Sequence, residues 1–146
     1  MYRNGYVCWN RFQHLMDPTA WSKKASIFAN KKKVMEGMLT FQKNGLHHPM
    51  THTAVGSTTD KREIRTITKA AKHNFEVLKK FMGQAKTVRM PQRLDECFLA
   101  CQQHKGLRDE LFIAIFKQTV GNINPDAVNR AWDFLAICLA HFGPSL

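Results

Sequence analysis

Over residues 60–82 the apolar side chains recur at helical spacing and face one way. At 100° per residue, Ile64, Ile67, Ala71, Phe75, Leu78 and Met82 fall within an arc of about 80°. A helix with such an arc is stable only when the arc is covered, so the rest of the chain must supply matching apolar faces. Arg62, Arg65, Lys69, Lys72 and Lys79 occupy an adjacent arc of about 100°, interrupted only by Glu76. The helix therefore packs with one side and presents a basic ridge with the other. Thr59 or Asp60 caps its start, and Gly83 closes its end in the position where glycine is favoured.

The matching faces lie on either side in sequence. Asp17-Pro18 is a cap followed by proline at the first helical position, and it starts a short helix running to about residue 30. Lys31-Lys32-Lys33 leads into a short apolar helical stretch over 34–41, which Asn44-Gly45 and His48-Pro49 break. Residues 50–59, rich in Thr and Ser, form a loop. Pro91 precedes a helix over about 92–104 with Leu94, Cys97, Phe98 and Cys101 inward. A further helix over about 107–120 turns Leu111, Phe112, Ile115, Phe116 and Thr119 inward, with Asp109 and Glu110 in its first turn. Asn124-Pro125-Asp126 repeats the cap-plus-proline start. The helix it opens places Val128, Ala131, Trp132, Leu135, Cys138, Leu139 and Phe142 on one side and stops at Gly143-Pro144. No stretch alternates with period two. The fold expected is an all-α helical bundle, with Trp132 and the 107–120 helix at its centre.

At 146 residues the chain fits one domain and needs neither disulfides nor metal to fold. Cys8, Cys97, Cys101 and Cys138 are expected as free thiols, mostly buried. No apolar run is long enough to span a bilayer, and the first residues lead into no secretory h-region, so the expected compartment is the cytoplasm. Charge is distributed unevenly. Residues 1–93 hold 18 Lys and Arg against five Asp and Glu, a surplus of 13, whereas 94–146 hold four against six. Such a field favours an acidic partner without naming it.

Sites for chemistry are missing from the pattern. There is no glycine-rich phosphate loop, no nucleophile elbow and no HExxH helix. Cys97, Cys101 and His104 share a helix face, and His47, His48 and His52 cluster in a loop. No CxxC pair completes a zinc set, so the cysteines are read as core and no metal or other cofactor is expected. Asp109 and Glu110 point about 100° apart on their helix, too divergent for a catalytic pair. One is expected to pair with Arg108 or another cation and the other to support the helix start. The protein is read as no enzyme, and no small-molecule substrate is expected.

Several motifs occur together in order. Leu107-Arg108-Asp109-Glu110-Leu111, Lys117-Gln118-Thr119, Trp132 followed by Leu135-Ala136-Ile137-Cys138-Leu139, and Phe142-Gly143-Pro144-Ser145 resemble the signature of the myosin tail homology 4 domain. Met38-Leu39-Thr40-Phe41, then Leu46 and Pro49-Met50-Thr51, resemble that family's opening, and Phe81-Met82-Gly83 matches the end of its long helix. The departures are Ala114 for a usual Gln, Ala131 for a Gly before the Trp, and Gly143 for the first Pro. The opening is most similar to the version found before Rho GTPase-activating domains; other members precede FERM domains in unconventional myosins and plant-type kinesins. The resemblance divides the chain into an N-terminal extension over 1–30, holding the short helix, and a domain over 31–146 that lacks the family's last helices.

What the resemblance implies is a cytoskeleton-associated interaction module that binds microtubules through a basic surface and docks other partners. The residues expected to carry that contact are Lys31, Lys32, Lys33, Arg62, Arg65, Lys69, Lys72 and Lys79. The charge alone also fits nucleic acid, although the aromatics follow the core period instead of interleaving with the ridge. A third reading is an inert segment of a larger motor or Rho GTPase-activating protein, its charge serving solubility.

Overall fold

The computed structural model describes residues 15–52 and 58–145. What is expected of 1–14, and the middle of the 50–59 loop, lie outside the described residues. Among the described residues there are six helices and no strand: α1 (Pro18–Lys23), α2 (Lys31–Glu36), α3 (Lys61–Phe81), α4 (Met90–Gln103), α5 (Gly106–Thr119) and α6 (Pro125–His141). The protein is all-α, as its periodicity demands.

The helix ends follow the capping chemistry. The Asp17 carboxylate accepts from the backbone N–H of Thr19 and Ala20, Asp60 from that of Arg62, and Asn124 from those of Asp126 and Ala127. At the end of α3, Gly83 takes φ +80° while its N–H bonds Lys80 O and the Gln84 N–H bonds Lys79 O. That pair of bonds is the Schellman closure, which needs the left-handed residue that glycine supplies without strain. Two short helices differ from expectation. The α1 helix stops at Lys23, and a turn over 24–30 replaces its second half. In turn, α2 starts earlier than the apolar stretch, with Asn30 as its cap and the three lysines as its first turn.

At the centre lies α5, which packs against α3, α4 and α6. Leu107, Leu111, Phe112, Ile113, Ala114 and Ile115 are all buried, so the helix is enclosed on every side. Around it, Phe75 and Leu78 of α3, Cys97 and Cys101 of α4, and Phe134 and Cys138 of α6 complete one core. Cys97, Cys101 and Cys138 are free and buried, and burial pushes the Cys138 thiol up to about 12. Residues ahead of 31 join the same core: Met16 and Trp21 are buried, and Leu15 bridges Thr51.

Trp132 is not at the centre. It is 44% exposed and meets Phe116 in an edge contact, ring centres 6.1 Å apart. The inward residues of α6 are Ala127, Ala131, Phe134, Cys138 and Phe142. Their arc is rotated by about 60° from the one the sequence suggests. The cause is composition. The helix is apolar over most of its circumference, and periodicity cannot choose between two adjoining apolar arcs.

The two aromatics of α6 should therefore respond oppositely to truncation. Phe134→Ala leaves a cavity in a fully buried site and should cost about 3–5 kcal/mol. Trp132→Ala should cost no more than about 1–2 kcal/mol, because much of the ring already faces water. Urea unfolding of both variants measures the contrast.

Candidate interaction surface

The surface is built on a set of buried polar side chains projecting from α5. Just past its first turn stands Glu110, 3% exposed, whose Oε1 accepts from Met50 N at 2.8 Å. Its Oε2 accepts from Thr51 N at 2.9 Å and Thr51 Oγ1 at 2.8 Å. At the other end of α5, fully buried Lys117 donates from Nζ to Gly37 O at 2.7 Å and Thr40 O at 2.8 Å. Gln118 exchanges two bonds with the backbone of Gln42: Gln42 N donates to Oε1 at 3.0 Å, and Nε2 donates to Gln42 O at 2.9 Å. The stretch 37–51 has almost no helix of its own. Its backbone groups are paired by α5 instead, as burial requires.

Burial sets the titration of these groups. It raises Glu110 to about 7, against the pull of the Met50 and Thr51 donors, and lowers Lys117 to about 8. The neighbouring acid, Asp109, accepts from the backbone N–H and hydroxyl of Ser145 and so ties down the chain after α6. Arg108 pairs with neither carboxylate: its Nε donates to Cys101 O at 2.9 Å, and its guanidinium lies 5.6 Å from the Phe142 ring centre. The expected pairing of Arg108 with Asp109 or Glu110 is thus corrected. Both acids are occupied by backbone and hydroxyl donors, which meets the same need.

Contacts of Trp21 seat α1 on this platform. Trp21, 1% exposed, donates from Nε1 to His48 O at 2.9 Å, and Lys117 Nζ lies 5.8 Å from its ring centre. The His47 ring packs on Trp21 with centres 4.1 Å apart, its Nε2 3.1 Å from Trp21 O.

On this frame the basic residues separate into those that face solvent and those that do not. Arg62, Arg65 and Lys69 are exposed on α3, and Lys72 is half-buried beside them. Lys32 and Lys33 are exposed on α2. Lys31 is half-buried and its Nζ is engaged by Ala25 O at 2.8 Å and Ser26 O at 2.9 Å. Lys79 leaves the ridge. It is buried, with Nζ 3.1 Å from Glu76 Oε1 and 6.0 Å from the Phe75 ring centre. It lies only about 40° from Phe75 around the helix, and a glutamate three residues earlier stands ready to pair with it. Both signals were in the sequence.

The structure brings two basic segments together at His47 and His48. Burial first, then the charges of Lys24, His47 and Lys72, push His48 down to about 4. His47 is lowered chiefly by burial, which its contact with the Trp21 carbonyl opposes, and then by Lys72, Lys117 and Lys31. Lys72 of α3 and Lys24 and Lys31 beside α1 and α2 therefore act on one pair of imidazoles. Lys24 is the residue that sequence reasoning missed. Its mark was a run from 18 to 35 with five lysines and no acid. Among the described residues, no cluster of three or more His, Cys, Asp or Glu forms a metal site.

The unit folds an irregular segment over its central helix and faces solvent with a cationic surface. Comparison with known proteins gives the following likenesses. The sequence pattern of the MyTH4 domain matches residues 94–146. Human unconventional myosin-XVB is 35% identical over 82 residues, which cover 54% of this chain and 3% of that protein. The kinesin-like protein KIN-14I of Oryza sativa subsp. japonica is 27% identical over 128 residues, covering 84% of this chain and 10% of that protein. In three dimensions the chain matches the human myosin 7b C-terminal MyTH4-FERM domain, solved in complex with the harmonin-a PDZ3 domain. The TM-score is 0.64 at 18% identity, over 99% of this chain and 28% of that one. Together these findings support a MyTH4 domain in this chain, related to domains of cytoskeletal motors and spanning a small fraction of their length.

Two outcomes test the platform. Lys117→Met strips the shared ammonium donor from the carbonyls of Gly37 and Thr40 and should lower stability by about 1–3 kcal/mol in urea unfolding. For pH, a carboxyl raised on folding binds its proton more tightly in the folded state, so Glu110 makes stability fall as pH rises from about 4.5 to about 7. His48, lowered on folding, works the other way between about 4 and 6.5. His47, also lowered on folding, adds to the His48 slope, so in a background with both His47→Ala and His48→Ala the Glu110 slope should stand alone, and adding Glu110→Gln should abolish it.

Proposed function

We propose that this chain is a non-enzymatic, cytoskeleton-associated module of the cytoplasm. In this reading its basic face binds an acidic protein surface, and the partner is the microtubule. The contact residues are Lys24, Lys32, Lys33, Arg62, Arg65, Lys69 and Lys72. Lys31 shapes the surface through its carbonyl contacts, and Lys79 takes no part. One observation carries the reading: Arg62, Arg65 and Lys69 on α3, Lys32 and Lys33 on α2 and Lys24 after α1 all face solvent, and the charges of Lys72, Lys24 and Lys31 each lower His47 or His48. Cations from distant parts of the sequence thereby form one field. The names of the relatives, a myosin and a kinesin-like protein, agree with a place on cytoskeletal motors. Acidic tubulin surfaces and tails would meet such a field. Against catalysis stands the occupancy of Asp109 and Glu110, which backbone and hydroxyl donors already hold. No helix among the described residues is long and apolar enough to cross a membrane.

The test is co-sedimentation with microtubules at low salt, using intact tubulin, tubulin without its acidic tails, and a duplex DNA control. Binding should weaken steeply with salt as the screening length falls from about 10 Å at 0.1 M to about 3 Å at 1 M. Lys69→Glu with Lys72→Glu should reduce it at least about tenfold while the circular dichroism spectrum is unchanged. Undiminished binding by this variant removes the α3 ridge from the contact. Tighter binding to DNA than to tubulin makes the partner a nucleic acid. No binding to either leaves the charge a matter of solubility.

A further inference from the structure

The turn joining α1 to α2 carries two side chains that the core does not use. Ile27 is 85% exposed and Phe28 92%. Single apolar residues on a surface are ordinary, but two large adjacent ones at the apex of an ordered turn are not. The order is visible in the hydrogen bonds. Ala25 N bonds Ser22 O, Ala29 N bonds Ser26 O, and Phe28 N bonds Ser26 Oγ. From the far side, Lys31 Nζ grips Ala25 O and Ser26 O. The helices that flank the turn pack on each other, with Thr19 Oγ1 donating to Met35 Sδ, and Trp21 anchors α1 through His48. The turn is held, and it holds Ile27 and Phe28 outward.

The surroundings of this apex are cationic. Lys23 and Lys24 precede it and Lys32 and Lys33 follow it, all four exposed, and no acid occurs between Asp17 and Glu36. An apolar tip ringed by flexible cations suits a surface that offers negative charge outside and hydrocarbon a few ångströms deeper. An acidic protein face supplies the first without the second. We propose that the 24–30 turn is a membrane anchor, with Ile27 and Phe28 inserting below the headgroups of an anionic bilayer while Lys23, Lys24, Lys32 and Lys33 bind the lipid phosphates and carboxylates. Association is peripheral and reversible; it shares Lys24, Lys32 and Lys33 with the microtubule reading, but Ile27, Phe28 and Lys23 belong to it alone and the α3 residues take no part in it, so the two are tested separately.

The experiment is sedimentation of the full chain with phosphatidylcholine vesicles, with and without phosphatidylserine. Binding should require phosphatidylserine. Ile27→Ser with Phe28→Ser should lower the partition coefficient by about tenfold or more, and Phe28→Trp should restore it in the Ile27-containing chain. Lys23→Gln with Lys24→Gln should lower it by about fivefold per lysine. All these positions are exposed, so thermal melting should be unchanged. Excess soluble glycerophosphoserine should not displace the protein, since insertion needs the bilayer. Undiminished vesicle binding by the Ile27→Ser, Phe28→Ser variant overturns the proposal, as does equal binding to neutral vesicles or displacement by the soluble headgroup. If that variant loses microtubule binding instead, the tip belongs to a protein contact and the proposal is wrong. Lys69→Glu with Lys72→Glu, which should weaken microtubule binding, separates failure of that reading from failure of this one.

Discussion

A lysine with no exposed surface, Lys117, holds the carbonyls of Gly37 and Thr40, and the rest of the structure is arranged around that grip. Burying an ammonium is costly, and the cost is borne only where the alternative is worse. Here the alternative is a stretch of some fifteen residues, 37–51, with buried carbonyls and N–H groups and no helix to pair them. Helix α5 answers from both ends, with Glu110 accepting from Met50 and Thr51 and with Lys117 and Gln118 reaching Gly37, Thr40 and Gln42. An irregular chain thereby becomes part of the core. Trp21 and His47 pack on it, and α1 and α2 are carried by it.

That arrangement explains what could be read from the sequence and what could not. The helices with capping signals were legible almost to the residue at their capped ends, because those signals are local: Asp60 and Gly83 for α3, Asn124-Pro125 for α6. The inward face of α6 was not legible. Trp132 and Phe134 differ by two residues on a helix apolar nearly all round, and it is Phe81 of α3 and Phe98 of α4 that meet Phe134. The same holds for the polar residues of α5. Lys117-Gln118-Thr119 and Arg108-Asp109-Glu110 look like surface on any hydropathy reading, yet Lys117, Gln118, Asp109 and Glu110 are all buried. Their partners lie 36 to 80 residues away, beyond what local pattern can encode. It is notable that these are the segments on which the family resemblance rested.

For the interaction surface the legible part was charge, and the illegible part was which charges are free. Lys79 and Lys31 both belong to basic runs. One is buried against Glu76 and the other spends its ammonium on two turn carbonyls. Lys24 works in the other direction: it is exposed, and its charge and that of Lys72 both lower His48. Net charge thus overstates the ridge on α3 and does not single out Lys24.

The clamp and the surface are linked through rigidity. Lys24 and Lys31 lie just beyond α1 and at the start of α2, which have only six residues each and could not hold a shape alone. Trp21 fixes them, His48 fixes Trp21, and the segment bearing His48 is fixed by Glu110 and Lys117. On the proposed reading, a surface held this way would lose little conformational freedom when it met its partner, so more of its electrostatic attraction would survive as affinity, and the buried charges of α5 would shape binding without touching that partner. Loosening them would scatter the exposed lysines before it unfolded the bundle, since α3, α4 and α6 keep their own apolar contacts around α5. Stability of the core and geometry of the basic face are, in this molecule, separable properties joined by a few hydrogen bonds.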